Sequence, residues 1–156
     1  MSIAFLKDPE GDVLEELPER PLSPHRNLVT AQGLAQIESE VARLGSELSA
    51  AQQRDEEDRL LVAKIARDLR YWMARRSNAE LVPPITDTSK VHFGSTVTIE
   101  REDGRRQVWR IVGEDEADPA HKTISHVCPL ARALVNKGVG DVVDVNDLEV
   151  EIKGIS

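Results

Sequence analysis

Apolar residues recur at steps of three and four along two stretches of the chain. On the first they are Leu34, Ile37, Val41, Leu44, Leu48 and Ala51. On the second they are Val62, Ile65, Leu69 and Trp72, continued by Arg76 and Ala79. This heptad spacing keeps an apolar seam turned toward a partner helix. The positions pair in antiparallel register: Leu34 with Ala79, Ile37 with Arg76, Val41 with Trp72, Leu44 with Leu69, Leu48 with Ile65 and Ala51 with Val62. The pattern predicts an antiparallel coiled-coil hairpin over 30–82 that folds back between Glu56 and Glu57. Its arms are roughly 25–30 Å long at about 1.5 Å per residue. Thr30 is the expected N-cap of the first arm. The second arm is expected to run to Glu80 and to be stopped by Pro83-Pro84. Asp55, Glu56, Glu57 and Asp58 stand at the tip, between Arg54 and Arg59.

From Val91 the period falls to two, the spacing of strands. Val97 and Ile99 lie on one face, Glu102-Asp103-Gly104 marks a hairpin turn, and Gln107 to Val112 is the return strand. An acidic loop over 113–122 leads to a third strand, Thr123 to Val127. Pro129 opens a short helix, where its missing N–H costs nothing. Val142 to Val145 and Leu148 to Ile152 close the chain as a second hairpin. The expected fold class is therefore α+β: the coiled-coil hairpin, a linker over 83–90, and an antiparallel sheet with one short helix over 91–156. Residues 1–29 carry Pro9, Pro18, Pro21 and Pro24 among acids. They read as a tail, disordered or laid along the body, with Leu14, Leu17 and Leu22 as small apolar anchors.

Charge narrows the function. The 156 residues hold 28 acids against 20 bases, a net charge of −8, so the chain lacks the basic footprint that independent binding to duplex DNA needs. Along the hairpin the acids gather at the tip, while Arg43, Lys64, Arg67, Arg70, Arg75 and Arg76 line the arms. The single cysteine, Cys128, excludes an intrachain disulfide and fits a reducing cytoplasm. No apolar run approaches the length of a membrane span and no secretory leader is expected. The four histidines show no metal-ligand spacing with Cys128.

Four blocks of the C-terminal region carry a resemblance. They are Val91-His92-Phe93-Gly94-Ser95-Thr96-Val97-Thr98, Ile111-Val112-Gly113-Glu114-Asp115-Glu116-Ala117-Asp118, Cys128-Pro129-Leu130-Ala131-Arg132-Ala133-Leu134 and Gly140-Asp141-Val142-Val143. In this order they resemble the C-terminal domain of the GreA/GreB transcript-cleavage and elongation factors. Thr30-Ala31-Gln32-Gly33-Leu34 and Ser77-Asn78-Ala79-Glu80-Leu81-Val82 resemble the two ends of that family's hairpin. Residues 1–29 lie outside the resemblance.

The resemblance implies an FKBP-like C-terminal domain that docks on bacterial RNA polymerase outside its secondary channel, while the coiled coil enters the channel. It implies a tip, here Asp55, Glu56, Glu57 and Asp58, that faces the polymerase active centre. In the cleavage factors the tip acids help hold a Mg²⁺ that activates water; Asp55 and Asp58, three apart, are the provisional ligands of such a shared ion. The docking segment would be Cys128, Pro129, Leu130 and Ala131. The chain itself would be no enzyme, would have no cofactor of its own, and would meet nucleic acid only within the elongation complex, as a cytoplasmic monomer.

Two departures change that reading. The family's cleavage tip resembles Gly-Asp-Leu-Ser/Lys-Glu-Asn, and this chain lacks it. The arms are also about a heptad shorter, which withdraws the tip by roughly 10 Å. Both favour a channel-occupying modulator, like the Rnk-type and other Gre-like paralogues, over a cleavage stimulator. An FKBP-like prolyl isomerase would need an aromatic-lined pocket, and residues 84–156 offer only Phe93 and Trp109. Self-association through the hairpin would need a seam that is already used internally.

Overall fold

The computed structural model describes residues 17–54 and 58–156. They form two compact units, one of residues 17–24 with 37–54 and 58–78 and one of 25–36 with 79–156.

The first unit is a helical hairpin. Helix α1 spans Ala31–Gln52 and helix α2 spans Arg59–Ser77. Leu44, Ala51 and Ile65 are buried between them, with Leu48, Leu61, Val62, Leu69 and Trp72 packed around. This cluster contains both members of the expected pairs 44–69, 48–65 and 51–62. The seam departs from expectation at its base. Arg76 is exposed, and Arg75 is the buried residue at 1% exposure. Both arginines lie in the last turn of α2, where a cation complements the negative end of the helix dipole.

The end of α2 is a second correction. Helix was expected through Glu80, but Asn78 caps it, its N–H bonding to the carbonyls of Ala74 and Arg76. Ala79–Leu81 then form a strand, β2, that pairs in parallel with β1, Asn27–Val29. The chain between two parallel strands must cross over, and here the crossover consists of both helices. Residues 27–29, expected to be tail, are thus paired backbone. Their attachment continues in Val82 N–H donating to the Val29 carbonyl (3.0 Å) and in Arg26 against Glu80 (2.8 Å).

The second unit carries a five-stranded sheet. Its strands are β3 Thr96–Arg101, β4 Arg106–Val112, β5 Thr123–Ser125, β6 Val142–Val145 and β7 Leu148–Ile155, in spatial order β5-β4-β3-β7-β6. Helix α3 is Pro129–Leu134. The expected all-antiparallel sheet holds for four strands; β5 pairs parallel to β4. The ten residues between them, with a 3₁₀ turn at Pro119–His121, bring the chain back to start β5 in the same direction. The two hairpin turns are as their residues dictate: Gly104 takes φ +83°, and Asn146 and Asp147 take φ +53° and +65°, the left-handed pair of a tight two-residue turn.

Alternation puts Val97, Ile99, Ile111, Val143, Val150 and Ile152 on one face of the sheet, where Ala131 and Leu134 of α3 cover them. The opposite face carries charged residues, with Val108 and Val142 exposed among them. Across it Arg106 meets Glu100 at 3.3 Å and Lys153 bridges Glu100 and Glu151. Among the described residues no helix is long and apolar enough to cross a membrane.

Candidate functional site

Three places in the fold bear on function: the hairpin tip, the start of α3, and the acidic loop that follows β4.

At the tip, Asp58 is the N-cap of α2. Its backbone is extended (φ −85°, ψ 99°) and its carboxylate accepts the Leu61 N–H at 3.1 Å. A cap of this kind is worth about 0.5–2 kcal/mol. Asp58→Ala is therefore expected to lower stability by about 1 kcal/mol and to speed hydrogen exchange at the Leu61 amide; unchanged exchange would contradict the cap. Asp55, Glu56 and Glu57 lie outside the described residues. A hard cation such as Mg²⁺ takes several oxygen ligands at once. The described part of the tip supplies one carboxylate, already engaged by a backbone N–H. Among the described residues no group of three or more His, Cys, Asp or Glu side chains could hold a metal ion.

At the start of α3, Pro129 sits at the first helical position and Cys128 is the N-cap, its Sγ accepting the Ala131 N–H at 3.5 Å. The four residues expected to dock a partner divide by exposure. Pro129 is exposed; Cys128 and Leu130 are half-buried and pack against the core. Ala131 is fully buried and cannot touch a partner, so its part is to seat the helix on the sheet. Sequence reasoning missed a neighbour of this helix: His25, from the N-terminal segment, lies with Nε2 at 3.4 Å from the Arg132 guanidinium.

The acidic loop is more than a solvated surface. The Thr30 hydroxyl donates to the Glu116 carboxylate, at 2.7 and 2.8 Å to its two oxygens, and accepts the Gly33 N–H at 2.9 Å. One hydroxyl thus caps α1 and ties its first turn to the loop. Thr30 is only 6% exposed, so this hydrogen bond is shielded from water. Two residues upstream, β1 passes so close to Gly113 that a Cβ there would stand 2.5 Å from the Leu28 carbonyl oxygen. Glycine is needed for that approach. Farther along, Asp118 accepts the Ala120 N–H and meets His121 Nδ1 at 2.6 Å. The hydrogen bond from His121 leads the causes that hold the Asp118 carboxyl below its ordinary range. The Thr30–Glu116 contact joins residues 86 apart, and no periodicity or local motif could have announced it.

A polar groove runs beside this contact, lined by Gln32, Gln36, Arg110 and Lys122 together with Glu116 and Asp118. Its two cations face two carboxylates, so it has no strong preference for ligands of either sign.

Residues 86–156 match the family described as transcription elongation factor GreA/GreB, C-terminal. Among related proteins, the transcription elongation factor GreB of Pseudomonas aeruginosa is 35% identical over 127 residues, covering 70% of this chain and 76% of that protein. GreB of Yersinia pestis is 37% identical over 113 residues, covering 72% of this chain and 65% of that protein. GreB of Neisseria meningitidis serogroup B is 42% identical over 88 residues, covering 55% and 54%. The chain thus spans about half to two thirds of the length of the Neisseria and Yersinia relatives. Among solved structures, the GreA factor homolog 1 protein of Thermus thermophilus aligns over 85% of this chain and 99% of its own, at 19% identity and a TM-score of 0.41.

Proposed function

This chain belongs to the GreA/GreB family of transcription elongation factors, and we propose on that basis that it binds bacterial RNA polymerase and modulates elongation. The observation that carries the proposal is the extent of the likeness to the Pseudomonas GreB, which covers 76% of that protein.

In this reading the second unit, an FKBP-like domain, docks at the mouth of the polymerase secondary channel. The start of α3 makes the contact, with Pro129 outermost and Leu130 beside it, while Ala131 and Leu134 hold the helix from behind. The helical hairpin occupies the channel, and Asp55, Glu56, Glu57 and Asp58 face the active centre. The chain performs no catalysis of its own. If a Mg²⁺ is shared there, Asp55 and Asp58 would be its protein ligands and would help to activate water.

The modulator reading is favoured over cleavage stimulation by two features of the tip. The family's cleavage motif is absent, and Asp58 already serves as a helix cap. Prolyl isomerisation is disfavoured because Phe93 and Trp109 pack against the core cluster. The function would place the chain in the cytoplasm as a monomer.

The test is a titration of fluorescently labelled full-length chain with core RNA polymerase. Saturable binding, lost when excess GreB is added, is the expected result. Absence of binding at micromolar polymerase would overturn the proposal and leave the fold untouched.

A further inference from the structure

The hairpin carries a segment that its family resemblance does not cover. Residues 17–24, Leu-Pro-Glu-Arg-Pro-Leu-Ser-Pro, lie along α2 with no helix or strand of their own. Three prolines in eight residues favour an extended chain, which lowers the entropy lost when it is laid down. Two consecutive side chains fasten it. Glu19 accepts two hydrogen bonds from the Arg70 guanidinium. Arg20 stacks over the Tyr71 ring with its guanidinium carbon 3.9 Å from the centroid, reaches the Trp72 ring at 5.8 Å, and meets Asp68 at 3.6 Å.

We propose that this segment is a removable strap that occupies, as a built-in ligand, the face of α2 that meets an acidic surface of the polymerase. The proposal rests on the function proposed above. The strap shows what the face recognises: a carboxylate placed on Arg70 in fork-to-fork geometry. Arg67, one turn away, is paired with Asp68 at 3.4 Å, so removal of Glu19 frees the Arg70 guanidinium beside a second cation. The hydrogen bond to Arg70 leads the causes that hold the Glu19 carboxyl below its ordinary range, so the pair stays charged at neutral pH.

Residues 1–16 precede the strap in the sequence. They contain five acids (Asp8, Glu10, Asp12, Glu15, Glu16) and one base, Lys7. Leu22, read from sequence as an anchor, is 50% exposed, so the hold depends on charge and stacking more than on apolar burial. Contacts of that kind at an exposed site are weak and screened by salt, as a cover that must come off requires.

The test uses the full chain carrying Glu19→Ala and Arg20→Ala. Without polymerase, the variant should show faster backbone exchange over 17–24 and an altered Trp72 emission, measured with Trp109→Phe in both chains, at an unchanged melting temperature. With polymerase, its affinity should rise roughly three- to tenfold at low salt, as expected from losing one or two exposed polar contacts, and the gain should shrink at high salt. Release of the strap with no gain in affinity would overturn the inference while leaving polymerase binding standing. A gain for a free RNA oligonucleotide, with none for polymerase, would overturn the assignment to an acidic protein surface. Failure of both chains to bind polymerase would instead strike the underlying function.

Discussion

Leu134→Ala is expected to lower stability by about 2–5 kcal/mol, the range for removing a large aliphatic side chain from a closed core. Leu134 is fully buried, and with Ala131 it is one of two α3 residues in the buried cluster formed with the sheet. A six-residue helix is far below the length at which a helix persists alone in water. Its position therefore depends on what it buries. The same substitution should loosen the segment that presents Pro129 and Leu130, so polymerase binding should weaken by more than the fraction unfolded accounts for. Urea unfolding gives the first quantity: the midpoint should fall while its slope holds, the mark of altered stability with unaltered compactness. A loss below about 1 kcal/mol would fall outside the large-to-small range and would mean that the sheet closes over the gap without α3.

Gly113→Ala is expected to cost about 1–3 kcal/mol, as over-filling a packed site does. The added carbon would meet the Leu28 carbonyl oxygen at 2.5 Å. That neighbour is backbone, fixed in the β1–β2 pairing, and cannot swing aside as a side-chain tip could. β1 must shift, and Thr30 lies one residue beyond its end. The first turn of α1 should therefore lose part of its hold on Glu116. Faster exchange at Val82, whose N–H is held by Val29, together with the lower unfolding midpoint, would report the shift. Wild-type exchange and stability would show that the loop after β4 yields instead.

These two positions differ in how far the sequence announces them. The core of the second unit was legible, because Val97, Ile99, Ile111, Val150 and Ile152 alternate as one buried sheet face must. The hairpin seam was legible from heptad spacing as far as Trp72. Beyond Trp72 the pattern continued into Arg76 and Ala79, but the chain had a stronger use for 79–81, namely pairing with 27–29. Strands of three residues carry no period to detect, and their partners here are 52 residues away. The parallel pairing of β5 is not encoded locally for a related reason: strand direction is set by the path of the connecting loop, and nothing within Thr123–Ser125 specifies it.

The candidate site was legible unevenly. The acidic run at the tip and the proline that opens α3 stand out as motifs, and both Asp58 and Pro129 take the terminal helix positions that their chemistry suits. The partition of the segment from Cys128 to Ala131 between an exposed proline and a buried alanine needed the fold. So did the Thr30–Glu116 contact, in which a residue read as a helix cap and one read as part of an acidic loop serve a single hydrogen-bonded junction. Glu19 and Arg20 form no motif within their proline-rich segment, and their roles depend on Arg70 and Tyr71 opposite them.

The central claim is that this chain occupies the polymerase channel without driving transcript cleavage. The measurement that tests it most directly is RNA cleavage in a stalled, backtracked elongation complex of the cognate polymerase, with binding followed in the same samples. The account predicts that the wild-type chain binds and leaves the cleavage rate at the level of polymerase alone. Cleavage stimulated by the wild type and abolished by Asp55→Ala/Asp58→Ala would contradict it, and would mean that the acidic tip reaches the catalytic metal.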